Sequence, residues 1–251
     1  MSNFRGALQN TIGEFVFSGC RSLKEVVIED GNSELALGSN RSNQLFNNCP
    51  LQTVYIGRNI NYNTSSSCGY SPFYRCTTLR SVTITDKETE ISPNEFYGCT
   101  NLKNVNIGNG VTKIGDWAFS GCFSLDYFSF GSAMQSIGKE AFSDCTAMTR
   151  IISHAATPPV CGSQALDDIN KWNCTLSVPT GYTAAYQAAD QWKEFFFIND
   201  DVTITDIGSV QDSTAKPSSI YNLNGSQQRD MMPGLNIIKM SDGTIRKVIV
   251  K

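Results

Sequence analysis

One spacing constrains this chain more than any other: Phe-x-x-Cys recurs at Phe17/Cys20, Phe46/Cys49, Phe73/Cys76, Phe96/Cys99, Phe119/Cys122 and Phe142/Cys145. The cysteines lie 29, 27, 23, 23 and 23 residues apart, so the unit has a basic period of 23 with longer early copies. A Leu column follows (Leu23, Leu51, Leu79, Leu102, Leu125, then Met148). Next comes a Val column (Val26, Val54, Val82, Val105, then Phe128 and Ile151). An Ile column closes the set (Ile28, Ile56, Ile84, Ile107, then Phe130) and fails at Ser153. Such a period defines a stack of supersecondary units, none of which can bury its apolar face alone.

The spacing within the unit supplies the geometry. Val-x-Ile alternates with period two, which predicts a short strand with Val and Ile inward and the residues between them outward. Stacking the units about 4.8 Å apart makes a parallel sheet over a continuous core. Phe and Cys then fill that core from the turn-like side opposite, each Phe contributing roughly 1.5–3 kcal/mol on burial. A further column stands five residues before each Phe, as Ile12-Gly13, Ile91-Ser92, Ile114-Gly115 and Ile137-Gly138. Cys68-Gly69 and Cys161-Gly162 continue it, which makes "CGSQAL" (161–166) a seventh, degenerate unit. The glycine there is expected to serve a turn with positive φ. In the second unit Arg41-Ser42 breaks the column, "CPL" is one residue short, and the insert "GNSELALGSNRSNQ" is expected to bulge as a loop.

Nine cysteines raise the question of disulfides or metal. Six share one repeat position and two more sit in the Ile column, which reads as a stack of small buried hydrophobes. With no Cys-x-x-Cys and a single histidine, zinc is not expected; a Cys161–Cys174 disulfide stays open.

Past the sixth unit, "ATPPV" breaks regular structure and "CTLSV" (174–178) supplies one more strand. Ala185, Tyr186, Ala189, Trp192 and Phe196 then fall at helical spacing. That predicts an amphipathic helix, either closing the open end of the solenoid or binding a partner. Residues 206–219 are polar and linker-like. "SIYNLNG", "LNIIKM" and "IRKVIVK" read as three short strands, with a tight turn at Ser241-Asp242-Gly243. The expected division is a repeat domain with its cap helix at 1–198 and a linker with a small β segment at 199–251.

Composition narrows the function classes. The formal charge is −3, from 23 acidic and 20 basic residues, and no Lys/Arg cluster stands out along the sequence, so nucleic acid is not an expected partner. No apolar run approaches the length of a membrane span. The opening "MSNFRGALQN" carries no signal-peptide pattern, so the chain is either intracellular or a trimmed extracellular one. Neither Gly-x-Ser-x-Gly nor His-Glu-x-x-His occurs. "GNGVTKIG" (108–115) lacks the third glycine of a phosphate loop at the required spacing, and His154, just past the end of a repeat strand, is the one histidine available for acid–base chemistry. Asn63 and Asn173 fit the glycosylation pattern.

"IGDWAFSGCFSLDYF" and "IGKEAFSDCTAMTRI" resemble the IG-x-x-AF-x-GC-x-x-L repeats of the BspA-type leucine-rich repeat proteins of bacterial surfaces. "TPPVCGSQALDD" through "LSVPTGYTAAYQAADQWKEF" resembles that family's end-cap, and "IYNLNGSQQRDMMPGLNIIKMSDGTIRKVIVK" is similar to C-terminal sorting segments of outer-membrane secretion systems. The resemblance implies an extracellular or surface-anchored protein that binds host or microbial macromolecules, protein or glycan, without chemistry and without cofactor or metal.

The binding surface expected from the alternation is the outward sheet face. One column is Glu25, Thr53, Ser81, Asn104, Tyr127 and Arg150; its neighbour is Val27, Tyr55, Thr83, Asn106, Ser129 and Ile152. Tyr55 and Tyr127 are the candidate aromatic anchors. The insert loops 30–44 and 57–72, with Tyr62 and Tyr70, are a second candidate. Adhesion is thus the leading reading, with a structural spacer in a larger surface assembly as the alternative.

Overall fold

The computed structural model describes residues 3–6, 11–12, 16–37, 45–46, 48–62, 71–202, 217–221, 227–228, 234–240 and 245–250. It divides into two compact units, Met1–Ser209 and Val210–Lys251.

The Val-x-Ile strands stack as read. Asn3–Gly6, Glu25–Ile28, Thr53–Ile56, Ser81–Ile84, Asn104–Ile107, Tyr127–Phe130, Arg150–Ser153, Thr175–Pro179 and Phe197–Val202 form one nine-stranded sheet in that spatial order. Every pairing in it is parallel, and equivalent repeat positions face each other, as in Val26↔Val54, Val54↔Val82 and Val82↔Val105. The Ile column forms a second, narrower stack of Glu90–Ile91, Lys113–Ile114, Ser136–Ile137 and Val160–Cys161. Between the two stacks lies the core, where the Leu, Val and Ile columns are buried.

Six phenylalanines form a continuous column: successive rings from Phe17 to Phe142 sit 5.3–5.5 Å apart and within 15° of parallel. The cysteines stand beside it as free thiols, buried except for the partly exposed Cys20. Their Sγ atoms reach back one coil: Cys49 donates to the Phe17 carbonyl (2.9 Å), Cys99 to Phe73 (3.2 Å), Cys122 to Phe96 (3.3 Å) and Cys145 to Phe119 (3.3 Å). Each of those carbonyls already accepts an N–H from the cysteine three residues on, as Cys99 N does to Phe96 O. A small apolar side chain with one weak donor fits both demands. Burial pushes the Cys76 thiol up to about 12 and raises Cys99 and Cys122 as well. Cys161 and Cys174 are both free, so no disulfide joins them.

Two positions in each of the turns at Phe96, Phe119 and Phe142 are left-handed, and one of the two recurs in the other coils. Gly19, Asn48, Arg75, Gly98, Gly121 and Asp144 precede the cysteines with φ between 54° and 76°. Asn94, Trp117, Glu140 and Gln164 stand two residues before the Phe position with φ of 50–58°. The conformation costs roughly 1–2 kcal/mol per non-glycine residue. In return it aims N–H groups at the next coil: Asn94 N at Asp116 O (2.9 Å), Trp117 N at Lys139 O (2.9 Å), Arg75 N at Tyr97 O (2.7 Å). The glycines of the Ile-Gly column answer a different need from the one expected. None of Gly115, Gly138 and Gly162 has positive φ; an added Cβ would instead lie 2.5–2.6 Å from the backbone nitrogen of Pro93, Asp116 or Lys139 on the neighbouring coil. Close packing of backbones, not turn geometry, excludes a side chain there.

Three further expectations are corrected. Part of the insert in the second unit is not a loop: Leu35–Leu37 pairs in parallel with Thr11–Ile12 and Ile60–Tyr62, burying Leu35 and Leu37. Arg41, Cys68-Gly69 and Tyr70 lie outside the described residues. The terminal helix covers only Thr183–Ala188; Ala189 is extended, and Trp192–Glu194 is a single 3-10 turn. A helix carried on to Phe196 would leave the last sheet edge bare, whereas Phe197–Val202 pairs with Thr175–Pro179 and runs across the 198/199 division. In the second unit, four antiparallel strands replace the expected three: Pro217–Tyr221, Gln227–Gln228, Gly234–Met240 and Ile245–Val250. The first of these takes in 217–219 of the expected linker, and the turn at 241–243 lies outside the described residues.

The cap still closes the array, through polar groups on buried aromatics. Tyr186 is fully buried; its hydroxyl donates to Ala155 O (2.8 Å) and is bonded to Ser153 Oγ. Ser153 therefore breaks the Ile column because the cap needs a hydroxyl there. Trp192 Nε1 donates to Pro159 O (2.8 Å), and Gln191 bridges Gly162 O (2.6 Å) and Leu166 N (3.0 Å).

Two stability predictions follow from these contacts. Phe119→Ala should cost about 3–5 kcal/mol, because it empties a fully buried ring site inside the column. Tyr186→Phe should cost about 1–3 kcal/mol by orphaning buried groups on the last coil. Urea denaturation checks both; a shift in midpoint below a third of a kcal/mol for either would contradict the assignment.

Candidate functional site

The sheet face is built as the alternation requires. Strand register aligns Glu25, Thr53, Ser81, Asn104, Tyr127 and Arg150 in one row and Val27, Tyr55, Thr83, Asn106, Ser129 and Ile152 in the next. All twelve are partly or fully exposed while their strand neighbours are buried. Tyr55 and Tyr127 are not brought together: they stand in different rows three strands apart, about 14 Å along the stack.

The rows run further than the repeat columns show. The first continues through Thr175 to Phe197, the second through Ser177 to Asn199. Phe197 is half exposed and meets Phe196 edge-on (4.9 Å), and Phe196 stacks on Trp172 (4.6 Å). Trp172 and Phe196 are 73% and 61% exposed, so three contiguous aromatic rings face solvent where the sheet ends. Helical spacing puts Phe196 on a helix and hides this patch; the apolar, β-favouring run "FFFI" (195–198) is its signal in the sequence.

At the other end of the face, Glu25, Val27, Glu29, Asp30 and Tyr55 line an open depression of about 540 Å³. Tyr55 Oη donates to Asp30 Oδ1 (3.0 Å); burial, then that bond and the Asp30 charge, raise the phenol's pKa. Of the insert loop 57–72, Arg58 is buried and committed to structure: its guanidinium donates to Glu29 O (2.9 Å), Asp30 O (3.3 Å) and Ser33 Oγ (3.3 Å). Tyr62 lies on the strand Ile60–Tyr62.

His154 follows the strand Arg150–Ser153, its backbone N–H bonded to Phe130 O (3.1 Å). Its Nδ1 is buried without a hydrogen-bond partner among the described residues, and burial lowers its pKa, which favours the neutral ring. A base of this kind lacks the orienting group that acid–base catalysis uses. No three His, Cys, Asp or Glu side chains among the described residues are grouped to hold a metal.

Among the described residues Glu88 is a strongly shifted carboxyl. Burial, and then the charge of the buried Glu95, push it up to about 9, so it is protonated at neutral pH while its Oε2 accepts Ile60 N–H (3.0 Å). Its folded value lies above its ordinary 4.5, so the stabilisation is complete below about 4.5 and is lost as pH rises toward 9. Stability measured by urea should therefore fall between pH 5 and 9, and Glu88→Gln should flatten that slope. An unchanged slope would show Glu88 to be ionised.

Six copies of the BspA-type leucine-rich repeat model match residues 6–68 and 66–158, well over half the chain. The chain belongs to the BspA-type leucine-rich repeat family. No curated protein sequence matches it. Among solved structures it is similar to a leucine-rich repeat protein of Treponema pallidum, at 20% identity and TM-score 0.41 over 70% of this chain and 75% of that one. It is also similar to a leucine-rich cell surface protein of Faecalibacterium prausnitzii A2-165, at 25% identity and TM-score 0.45 over 60% of this chain. A leucine-rich repeat protein of Bacteroides ovatus ATCC 8483 matches at 20% identity and TM-score 0.43 over 72% of this chain. This chain spans 38% of the length of the second and 56% of the third.

Proposed function

We propose that this BspA-type repeat chain is a non-enzymatic interaction module displayed outside the cell, holding a macromolecular partner of host or microbial origin on its sheet face. The observation that carries the reading is the outward face itself. One row of exposed side chains, from Glu25 to Arg150, continues through Thr175 to Phe197, whose ring is contiguous with Phe196 and Trp172, while the neighbouring row is interrupted at the buried Ser177. Extended sheet faces are the surfaces solenoids use, and aromatic rings at such a face supply most of the contact energy. The cysteines fit an oxidising setting. Burial at Cys76 and Cys122 disfavours the thiolate, which is the reactive form. The C-terminal unit, with its sorting-like segment, would serve placement on the surface.

Binding to immobilised extracellular-matrix proteins and to surface material of neighbouring bacteria tests this. A saturable interaction is expected, and Trp172→Ala with Phe197→Ala should weaken it at least tenfold, as should Tyr55→Ala with Tyr127→Ala. Removing 210–251 should leave binding intact and abolish surface placement. A partner bound equally well by both double variants would move the contact off this face and favour the spacer reading.

A further inference from the structure

The turns that lead into the strands carry a charge that no linear stretch of the chain shows. Over the first four coils, segments 17–24, 48–52, 73–80 and 96–103 hold five cations (Arg21, Lys24, Arg75, Arg80 and Lys103) and no carboxylate, and the run ends at Asp126 and Asp144 in the next two turns. Stacking brings these segments together on one edge. Gln52 N bonds Lys24 O (2.7 Å), Arg80 N bonds Gln52 O (2.9 Å) and Lys103 N bonds Arg80 O (2.9 Å), so Lys24, Arg80 and Lys103 stand on consecutive or alternate rungs about 4.8 Å apart. All five side chains are exposed, and among the described residues none forms an ion pair.

The same edge contains a hollow. The second coil spends one residue fewer between Cys49 and Leu51 than the others do, and the gap it leaves is a depression of about 320 Å³. Asn48, Pro50, Arg75, Thr77 and Thr78 are among its lining residues. A pocket of that size sits at the small end of ligand sites, with room for one substituted sugar ring.

We infer that this edge is a binding site for a sulfated or carboxylated polysaccharide, lying along the cation row with one anionic substituent in the hollow beside Arg75. Cations at the repeat of the coil suit a polymer bearing charge at intervals of about one sugar ring. Between them stand groups that hydrogen-bond sugar hydroxyls: the exposed Thr77 and Thr78, and the Oδ1 of Asn101, whose Nδ2 donates to Thr77 O (2.7 Å). Single-stranded nucleic acid fits less well, because it needs free aromatic faces. The two tyrosines here are already occupied, Tyr74 stacked on Tyr97 at 5.1 Å with the Arg75 guanidinium 5.4 Å from the Tyr74 ring centre. This edge is distinct from the sheet face proposed above for a partner.

Heparin binding to the full chain, titrated at low and physiological salt, tests the inference. Saturable binding that weakens with salt is expected. Arg75→Gln, Arg80→Gln and Lys103→Gln together should lower affinity at least tenfold. Lys87→Gln, Lys113→Gln and Lys139→Gln remove the same charge elsewhere and should change it less than twofold. Fully desulfated, N-acetylated heparin should bind more weakly than heparin. The Tyr55→Ala/Tyr127→Ala variant should bind heparin like wild type, which keeps this result independent of the sheet-face reading. Absence of saturable binding, equal losses in the two triple variants, or single-stranded DNA or anionic vesicles binding as tightly as heparin would each overturn it.

Discussion

Parallel in-register stacking is the constraint from which the rest of this structure derives. When each strand lies on an identical position of the next coil, every buried side chain packs against its own counterpart one coil away. A position that accepts phenylalanine once must then accept it again, because a smaller residue would leave a void between two rings. The column from Phe17 to Phe142, with rings 5.3–5.5 Å apart, is that rule in its plainest form. The cysteines obey it with an added condition. A carbonyl at each Phe would otherwise hold only one hydrogen bond, and a thiol from the next coil adds a second without importing a strongly polar group.

The same geometry explains the strained and the glycine positions. A coil must turn sharply on the Phe side while keeping its N–H groups directed along the stack, and left-handed residues such as Trp117 and Glu140 do this. At Arg75, Asn94, Trp117 and Glu140 their cost is offset by a coil-to-coil hydrogen bond. At Gly115 and Gly138 the backbones approach so closely that no side chain fits, whatever its conformation.

Legibility in the sequence tracked this constraint closely. Positions governed by stacking, from the Phe column to the Val-x-Ile strands, could be read because identical neighbours enforce identical letters. Tertiary pairing without a repeated partner could not. Leu35–Leu37 sits in an insert of irregular length, and its pairing with Ile60–Tyr62 appears in no column. Helical spacing in 183–196 was real as a pattern, yet the need to cover the last sheet edge took Phe197–Val202 into a strand instead. For the sheet face, the twelve outward residues were legible from alternation alone, whereas the aromatic patch that ends their row depended on that unforeseen strand. The function of the glycine was misread because φ and close approach leave the same letter.

Charge segregation shows what stacking leaves free. Where the strands of the two stacks end, side-chain oxygens perform ladder bonds: Asp86 accepts Asn109 N–H (2.6 Å) and Asn109 accepts Ser132 N–H (3.1 Å) beside the main sheet, and Asp116 accepts Lys139 N–H (2.8 Å) beside the narrower one. Acidic and amide residues there are structural, and they account for carboxylates such as Asp86 and Asp116. On the edge where strands begin, the equivalent N–H groups are already bonded by backbone carbonyls of the preceding coil. Side chains at Lys24, Arg80 and Lys103 therefore have no structural duty. A formal charge of −3 thus conceals one edge whose carboxylates serve folding and another whose cations do not. Residues that the fold does not require, gathered with one sign over the first four coils of one edge, are where a ligand is the simplest physical explanation.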